Sequence, residues 1–172
     1  CSRPGKCAIM AAGKPARRDR AQAGGHRPPP DFEEVISMTK EQEKILIEKS
    51  IASCEGAYVP YSGFHVGACV LGEDGKFYTG FNVENVSYGA TICAERSAAI
   101  NMMTNSSSRK ILALAVAAGD TCETMPCGIC RQFLCEFMEP DAPVYTVARN
   151  GDFMVKTFAE IMPFAFTSFK KD

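Results

Sequence analysis

The spacing of apolar positions changes several times along this 172-residue chain, and each change marks an element. Residues 1–37 show no period. They are rich in Ala, Gly, Pro and Arg, include Pro28-Pro29-Pro30, and are expected to be a disordered or expression-derived leader before a domain at 38–172, with Met38 as its expected start. From Thr39 the pattern turns helical. Thr39-Lys40-Glu41-Gln42 spells a capping box. Ile45, Leu46, Ile51 and Ala52 form the expected buried stripe, and Gly56 ends the helix. Residues 57–64 are a loop with Pro, Gly and three aromatics. Val66, Ala68 and Val70 alternate as a strand does, with His65 placed in that strand. Glu73-Asp74-Gly75 turns the chain, and 76–83 returns as a second strand. A helix is expected at 93–104 with Ala98, Ala99 and Met102 on one side. Residues 111–118 are apolar throughout, as in a central strand covered on both faces. A further helix is expected from about Pro126 to Phe137, then strands near 143–149 and 153–157. Thr157-Phe158-Ala159-Glu160 caps a last short helix ending near Pro163. The order α-β-β-α-β-α-β-β-α, without internal repeat, implies a sheet with helices on its faces.

Composition narrows the chemistry. Apolar residues make up 46% of the chain, which suits a globular core. No apolar run approaches the ~18 residues that span a bilayer, so a soluble protein with no membrane partner is expected. The net charge of −1 is unevenly spread: residues 1–30 hold seven Lys/Arg and one acid, leaving twelve bases and nineteen acids elsewhere, a balance of −7. So acidic a body is a poor match for nucleic acid and suits a small uncharged substrate better. Nine cysteines, an odd number without a secretory signal, argue against a disulfide framework and for a reducing, cytoplasmic compartment with some thiols spent on metal.

Two segments carry the candidate chemistry: Cys93-Ala94-Glu95 and Pro126-Cys127-Gly128-Ile129-Cys130. Both sit at expected helix starts, where unpaired N–H groups and partial positive charge favour thiolate over thiol. Pro126 suits the first turn, where its missing N–H is harmless. Cys127 and Cys130, three apart, share one helical face, and Cys93 completes a three-thiolate set. Three protein ligands leave the fourth position of a zinc ion open for water, the catalytic arrangement. Glu95, two residues past Cys93, is placed to move that water's protons without being a ligand. Three thiolates on Zn²⁺ leave a formal −1, which Arg96 or Arg131 could offset by hydrogen bonding to sulfur; Arg96, directly after Glu95, is favoured. A CxxC pair alone is also a structural zinc half-site or a redox pair. Neither Cys122 nor Cys135 forms a second tight pair, and these two, with Cys54 and Cys69, read as small hydrophobes. Cys93-Ala94-Glu95 together with the CxxC pair matches the signature of zinc-dependent deaminases in its three-cysteine form.

The chain resembles the small cytidine deaminases over about residues 39–168, through YSGFHVGA (61–68), GFNVEN (80–85), ICAERSAA (92–99) and MPCGICRQF (125–133). The resemblance implies a three-layer α/β/α sandwich with a mixed five-stranded sheet. It implies hydrolysis of cytidine and 2′-deoxycytidine to the uridines and ammonia, with one Zn²⁺ per subunit. Asn82 and Glu84 match positions that hydrogen-bond the ribose 3′-hydroxyl, and Phe64 an aromatic beside the nucleoside. The Ala94 N–H matches a donor to the pyrimidine O2. Tyr88 and Phe166 match residues that neighbouring subunits lend to the site in a homotetramer. Plainer roles are open to several: turn geometry for Asn82, a solvated charge for Glu84, core packing for Phe64, and packing for Phe166 beside Phe164 and Phe169. Phe81 and Met125 depart from the family pattern, where smaller residues are common, at positions expected near the pocket.

Three other functions compete. Nucleic-acid cytosine or adenosine deaminases carry His in place of Cys93 and need basic grooves, which the −7 balance lacks. A blasticidin-type deaminase shares both cysteine segments but has no ribose for GFNVEN to bind. A zinc-stabilised interaction module would hold metal without turnover.

Overall fold

The computed structural model describes residues 38–167; the leader expected at 1–37, and residues 168–172 with Phe169, lie outside the described residues. Helix α1 (Lys40–Ser53) begins with the expected capping box: the Thr39 side chain accepts from the Gln42 N–H, and the Gln42 side chain accepts from the Thr39 N–H. Its buried residues are Leu46, Ile47 and Ser50, so the buried line runs beside the expected stripe, leaving Ile45 and Ile51 half-buried and Ala52 exposed. The reason lies at Gly67 of the sheet. A Cβ there would stand 2.3 Å from the Ser50 carbonyl oxygen, so the helix rests its backbone on the strand along the small side chain of Ser50.

Strands β1 (Val66–Gly72) and β2 (Phe77–Phe81) form the antiparallel hairpin. They are followed by α2 (Ala94–Asn105), β3 (Ile111–Ala118), α3 (Gly128–Leu134), β4 (Pro143–Val147), β5 (Phe153–Thr157) and α4 (Phe158–Ile161), the expected order. The sheet runs β2-β1-β3-β4-β5, with β3 and β4 parallel and the other pairs antiparallel. One face, with Cys69, Leu71, Ala113, Ala115 and Tyr145, packs on Leu46 and Ile47 of α1. The other, with Ala68, Val70, Leu114, Val116 and Val144, packs on Ala94, Ala98 and Met102 of α2, Leu134 of α3 and Phe158 of α4. This is the expected three-layer α/β/α sandwich. Both faces of β1 are buried, because α1 and α2 cover it from opposite sides.

Several boundaries differ from expectation. His65 precedes β1, its Nδ1 within hydrogen-bond reach of the Cys54 carbonyl at 3.1 Å. Pro126 stands outside α3, because Cys127 keeps an extended N-cap backbone. The helix stops at Leu134, and the carbonyl of Phe137 receives the Ile111 N–H at 2.8 Å instead of continuing a helix. Strand β4 stops at Val147 because Ala148 closes the turn to β5, giving its N–H to Asp152 and its carbonyl to Gly151. The second capping box, Thr157 with Glu160, is present at α4. Among the described residues no helix is long and apolar enough to cross a membrane.

Candidate metal centre

Two helix starts meet at one end of α2 and α3. Cys93 is the N-cap of α2 and Cys127 the N-cap of α3, both with extended backbone and neither using its side chain as a cap. Their sulfurs are thereby free for each other, 3.7 Å apart, and the buried Cys130 sulfur on the first turn of α3 joins them. All three sulfurs lie within 4.8 Å of one another. Gly80 sets this convergence. A Cβ on it would stand 2.2 Å from the Ala98 nitrogen and 2.7 Å from the Ala94 carbonyl, so only glycine lets α2 lie this low on β2.

The donor set fits zinc. Sulfurs about 2.3 Å from a tetrahedral ion stand about 3.8 Å apart, close to the Cys93–Cys127 separation. Without a cation the thiols share protons unequally. Hydrogen bonding from Cys130, then Arg96 and Cys127, lowers Cys93 to about 5 despite burial. Cys130 is raised, chiefly as the donor to Cys93 and then by burial. Three sulfurs this close cannot all ionise unless a cation replaces the protons, which is what a divalent ion does.

Glu95 is 4% exposed on the first turn of α2. Burial lifts its carboxyl to about 7, helped by the charge of Cys93 and opposed by its own backbone N–H, Cys130 and Arg96. Arg96 Nη2 donates to the Thr91 carbonyl at 3.1 Å and lies 3.8 Å from the Cys93 sulfur, while its buried Nε has no partner among the described residues. Arg131, the other arginine weighed for this task, instead donates through Nε to the Pro126 carbonyl at 2.6 Å and through Nη1 to the Ile161 carbonyl at 2.8 Å.

Backbone lacing ties Asn82 and Glu84 to the stretch of chain that leads into Cys93. Val83 pairs with Ile92, one residue before Cys93, and both neighbours of Val83 bond Tyr58: Asn82 through its carbonyl and Glu84 through its N–H. Asn82 is buried. Its Oδ1 accepts from the Val66 N–H at 2.9 Å, and its Nδ2 donates to the Phe64 carbonyl at 2.9 Å. The Glu84 carboxylate accepts from the Ser62 hydroxyl and from the N–H groups of Tyr61 (3.0 Å) and Ser62 (3.2 Å), which hold its pKa down, the hydroxyl most. Ala94 is wholly buried at the first position of α2. Phe64, Tyr88 and Phe166 are exposed, at 49%, 75% and 57%. Tyr88 meets Tyr61 edge-on at 6.1 Å. Phe81 lies against Gly56 on the α1 side of β2, opposite Gly80, and Met125 packs into the core beside α2, so the two departures sit in packing roles.

Sequence reasoning missed Thr146 and Gln132. Thr146, wholly buried in β4, donates to the Cys122 carbonyl and so holds the loop leading to Cys127. Its signal was a small hydroxyl side chain between Tyr145 and Val147 in a strand otherwise of Pro, Val and Tyr. Gln132 Nε2 donates to the Phe166 carbonyl at 2.8 Å, a partner with no sequence signature.

Comparison with known proteins agrees with this geometry. Residues 40–146 match the family model described as the cytidine and deoxycytidylate deaminase zinc-binding region. A cytidine deaminase from Halalkalibacterium halodurans is 43% identical over 125 residues, 73% of this chain and 94% of that protein. The crystal structure of a cytidine deaminase from Burkholderia pseudomallei superposes with a TM-score of 0.68 at 39% identity, covering 75% of this chain and all of that one. The cytidine deaminase of Mycobacterium tuberculosis superposes with a TM-score of 0.61 at 35% identity, over 72% of this chain and 96% of that one.

Proposed function

The chain belongs to the cytidine and deoxycytidylate deaminase family, and on that premise we propose that it hydrolyses the amino group of free cytidine and 2′-deoxycytidine. The observation that carries this reading is the buried Glu95 carboxyl on the first turn of α2, two residues past the Cys93 sulfur that converges with those of Cys127 and Cys130. Cys93, Cys127 and Cys130 would hold one Zn²⁺ per subunit. Bound zinc supplies a water acidic enough to lose a proton near neutral pH.

The protein's own groups do the rest. Glu95 takes a proton from the attacking water and passes it to N3 of the pyrimidine, which makes C4 electrophilic. As the C4–O bond forms, Glu95 takes the second water proton and delivers it to the amino group. The C4–N bond then breaks and ammonia leaves with the electron pair. One water is consumed, and the ring becomes a uracil. Arg96 offsets the excess charge on sulfur. The Ala94 N–H would hold the pyrimidine O2.

Asn82 spends one amide hydrogen and one lone pair on its own loop, which leaves one of each for a ribose hydroxyl. Glu84 would share its carboxylate between that hydroxyl and Ser62. Phe64 would pack against the nucleoside. The acidic body and the Glu84 charge favour a neutral nucleoside over a nucleotide or nucleic acid. The outward aromatics Tyr88 and Phe166 support a homotetramer in which neighbours lend residues to each site. Seven free thiols among the described residues support a reducing, cytoplasmic setting for a domain at 38–172.

Ammonia release from a panel of cytidine, deoxycytidine, cytosine, deoxycytidine monophosphate, adenosine and blasticidin S tests the assignment. Turnover confined to the first two is the expected result. Turnover of blasticidin S or adenosine in their place would refute it.

A further inference from the structure

Two arginines flank the ligand set, and the structure gives them different partners. Arg96 reaches sulfur. Arg131 reaches two carbonyls, that of Pro126 at 2.6 Å and that of Ile161 at 2.8 Å. The first belongs to the residue directly before Cys127. The backbone N–H of Arg131 also donates to the Cys127 carbonyl at 2.9 Å. One residue therefore grips the main chain on both sides of a metal ligand. Its Nη1 holds the end of α4, and the next side chain, Gln132, holds the Phe166 carbonyl at 2.8 Å. Between those two anchors the chain carries Phe164, fully exposed with φ of 57°, in the left-handed region that non-glycine residues rarely enter.

We propose that Arg131 is a positioning residue that ties the turn bearing Cys127 to the C-terminal segment 161–166, so that metal binding and docking of that segment stabilise each other. The inference rests on the zinc-site reading. Its physical basis is the rigid fork of the guanidinium, which reaches two acceptors in one plane without reorganising. A lysine carries the same charge but lacks the fork and the planar fit, so it holds the two carbonyls less well. Because the coupling is an equilibrium property, it is reciprocal: whatever loosens the segment loosens the metal, and removing the metal loosens the segment.

The test compares the zinc-loaded full chain with its Arg131→Gln and Arg131→Lys variants. Three quantities are read: the rate of zinc transfer to a colorimetric chelator, hydrogen exchange of amides 158–167, and kcat and KM for cytidine. Arg131→Gln is expected to release zinc about ten- to a hundredfold faster, the range seen when a group supporting a metal ligand is lost. Exchange at 161–167 should quicken with it. The fall in kcat should come with little change in KM, because no substrate contact is cut. Arg131→Lys should recover part of each effect. In the unsubstituted protein, removing zinc should quicken exchange at 161–167 more than in β5. Wild-type zinc release in a folded Arg131→Gln overturns the proposal, as does unchanged exchange at 161–167 after zinc removal. If Arg131→Gln does not fold, Arg131→Lys and the zinc-removal experiment decide between the same two outcomes. An unsubstituted chain that holds no zinc defeats the metal-centre reading itself; one that holds zinc and deaminates while Arg131→Gln matches it defeats only this inference.

Discussion

Glu95 is subject to opposing pulls: burial and the Cys93 charge raise its carboxyl to about 7, while its own backbone N–H, Cys130 and Arg96 lower it. A group balanced near neutrality gives and takes a proton with little free-energy penalty in either direction, which a shuttle needs. Glu95→Gln keeps the size of the side chain and removes the titration. Its kcat should fall by at least about 10²-fold, the lower bound for losing a general acid–base group, with zinc content unchanged by metal analysis. Full activity would remove Glu95 from the mechanism. Cys127→Ala should lose bound zinc in the same analysis, and activity with it. These residues were legible in the sequence because type and spacing both point to them: Cys at two helix starts, with a carboxylate two positions on. The bonds of Arg131 and Thr146 were not, since their acceptors are main-chain carbonyls of Pro126, Ile161 and Cys122, and a carbonyl has no letter in the sequence. Asn82 falls between. Its place in GFNVEN was visible, but the two backbone bonds that bury it were not.

Elements place these side chains through close contacts at glycines and through loops tied at their ends. Gly80→Ala would push a methyl against the α2 backbone, 2.2 Å from the Ala98 nitrogen, where no flexible side chain can yield. Overpacking of this kind destabilises by roughly 1–3 kcal/mol. Thermal melts should show that loss, and weaker zinc retention should accompany it, because α2 carries Cys93 at its tip. An unchanged melting temperature would mean that the helix is not seated this low on β2. The Glu73–Asp74 turn is a second case. Asp74 accepts from the Tyr78 hydroxyl at 2.6 Å, the Ser106 hydroxyl at 2.8 Å and the Lys76 N–H. Glu73 accepts from the N–H groups of Arg109 and Lys110 and from the Ser108 hydroxyl. Together they tie the hairpin to the connection between α2 and β3. These bonds lower both carboxyl pKa values, the Tyr78 hydroxyl most for Asp74 and the Arg109 N–H most for Glu73. Lowered carboxyls contribute stability above their unfolded pKa values, near 4, and lose it as the pH falls through the folded ones. Asp74→Asn should therefore flatten the acid limb of the melting temperature against pH below about 4, and a limb of unchanged slope would discount the turn. Both capping boxes were readable in advance because their contacts span three residues. The length of α3 was not, since a partner far along the chain, Ile111, claims the Phe137 carbonyl.

The whole molecule shows a contrast between two surfaces. Its charge is acidic outside residues 1–30, which disfavours polyanions, yet Val86, Tyr88, Ile129, Phe164 and Phe166 are all exposed, Ile129 lying between two cysteines of the metal centre in the chain. Large exposed apolar side chains that form one patch mark a surface that another body covers. A second copy of this chain is the partner that needs no further component, and a closed assembly would bury such side chains while a neighbour completes each site. Sequence alone carried this only through the resemblance at Tyr88 and Phe166, because exposure is a property of the folded surface. Val86→Asp tests it at 78% exposure, at a residue given no part in metal binding or proton transfer. A charge at that point costs little in a lone subunit and much when desolvated between two. The unsubstituted chain should sediment as four copies at micromolar concentration, and Val86→Asp should sediment lighter. Activity per chain should fall in step with the mass, while zinc content per chain stays the same. If the unsubstituted chain sediments as a monomer with full activity, each site is complete within one copy, and Tyr88 and Phe166 belong to surface packing alone.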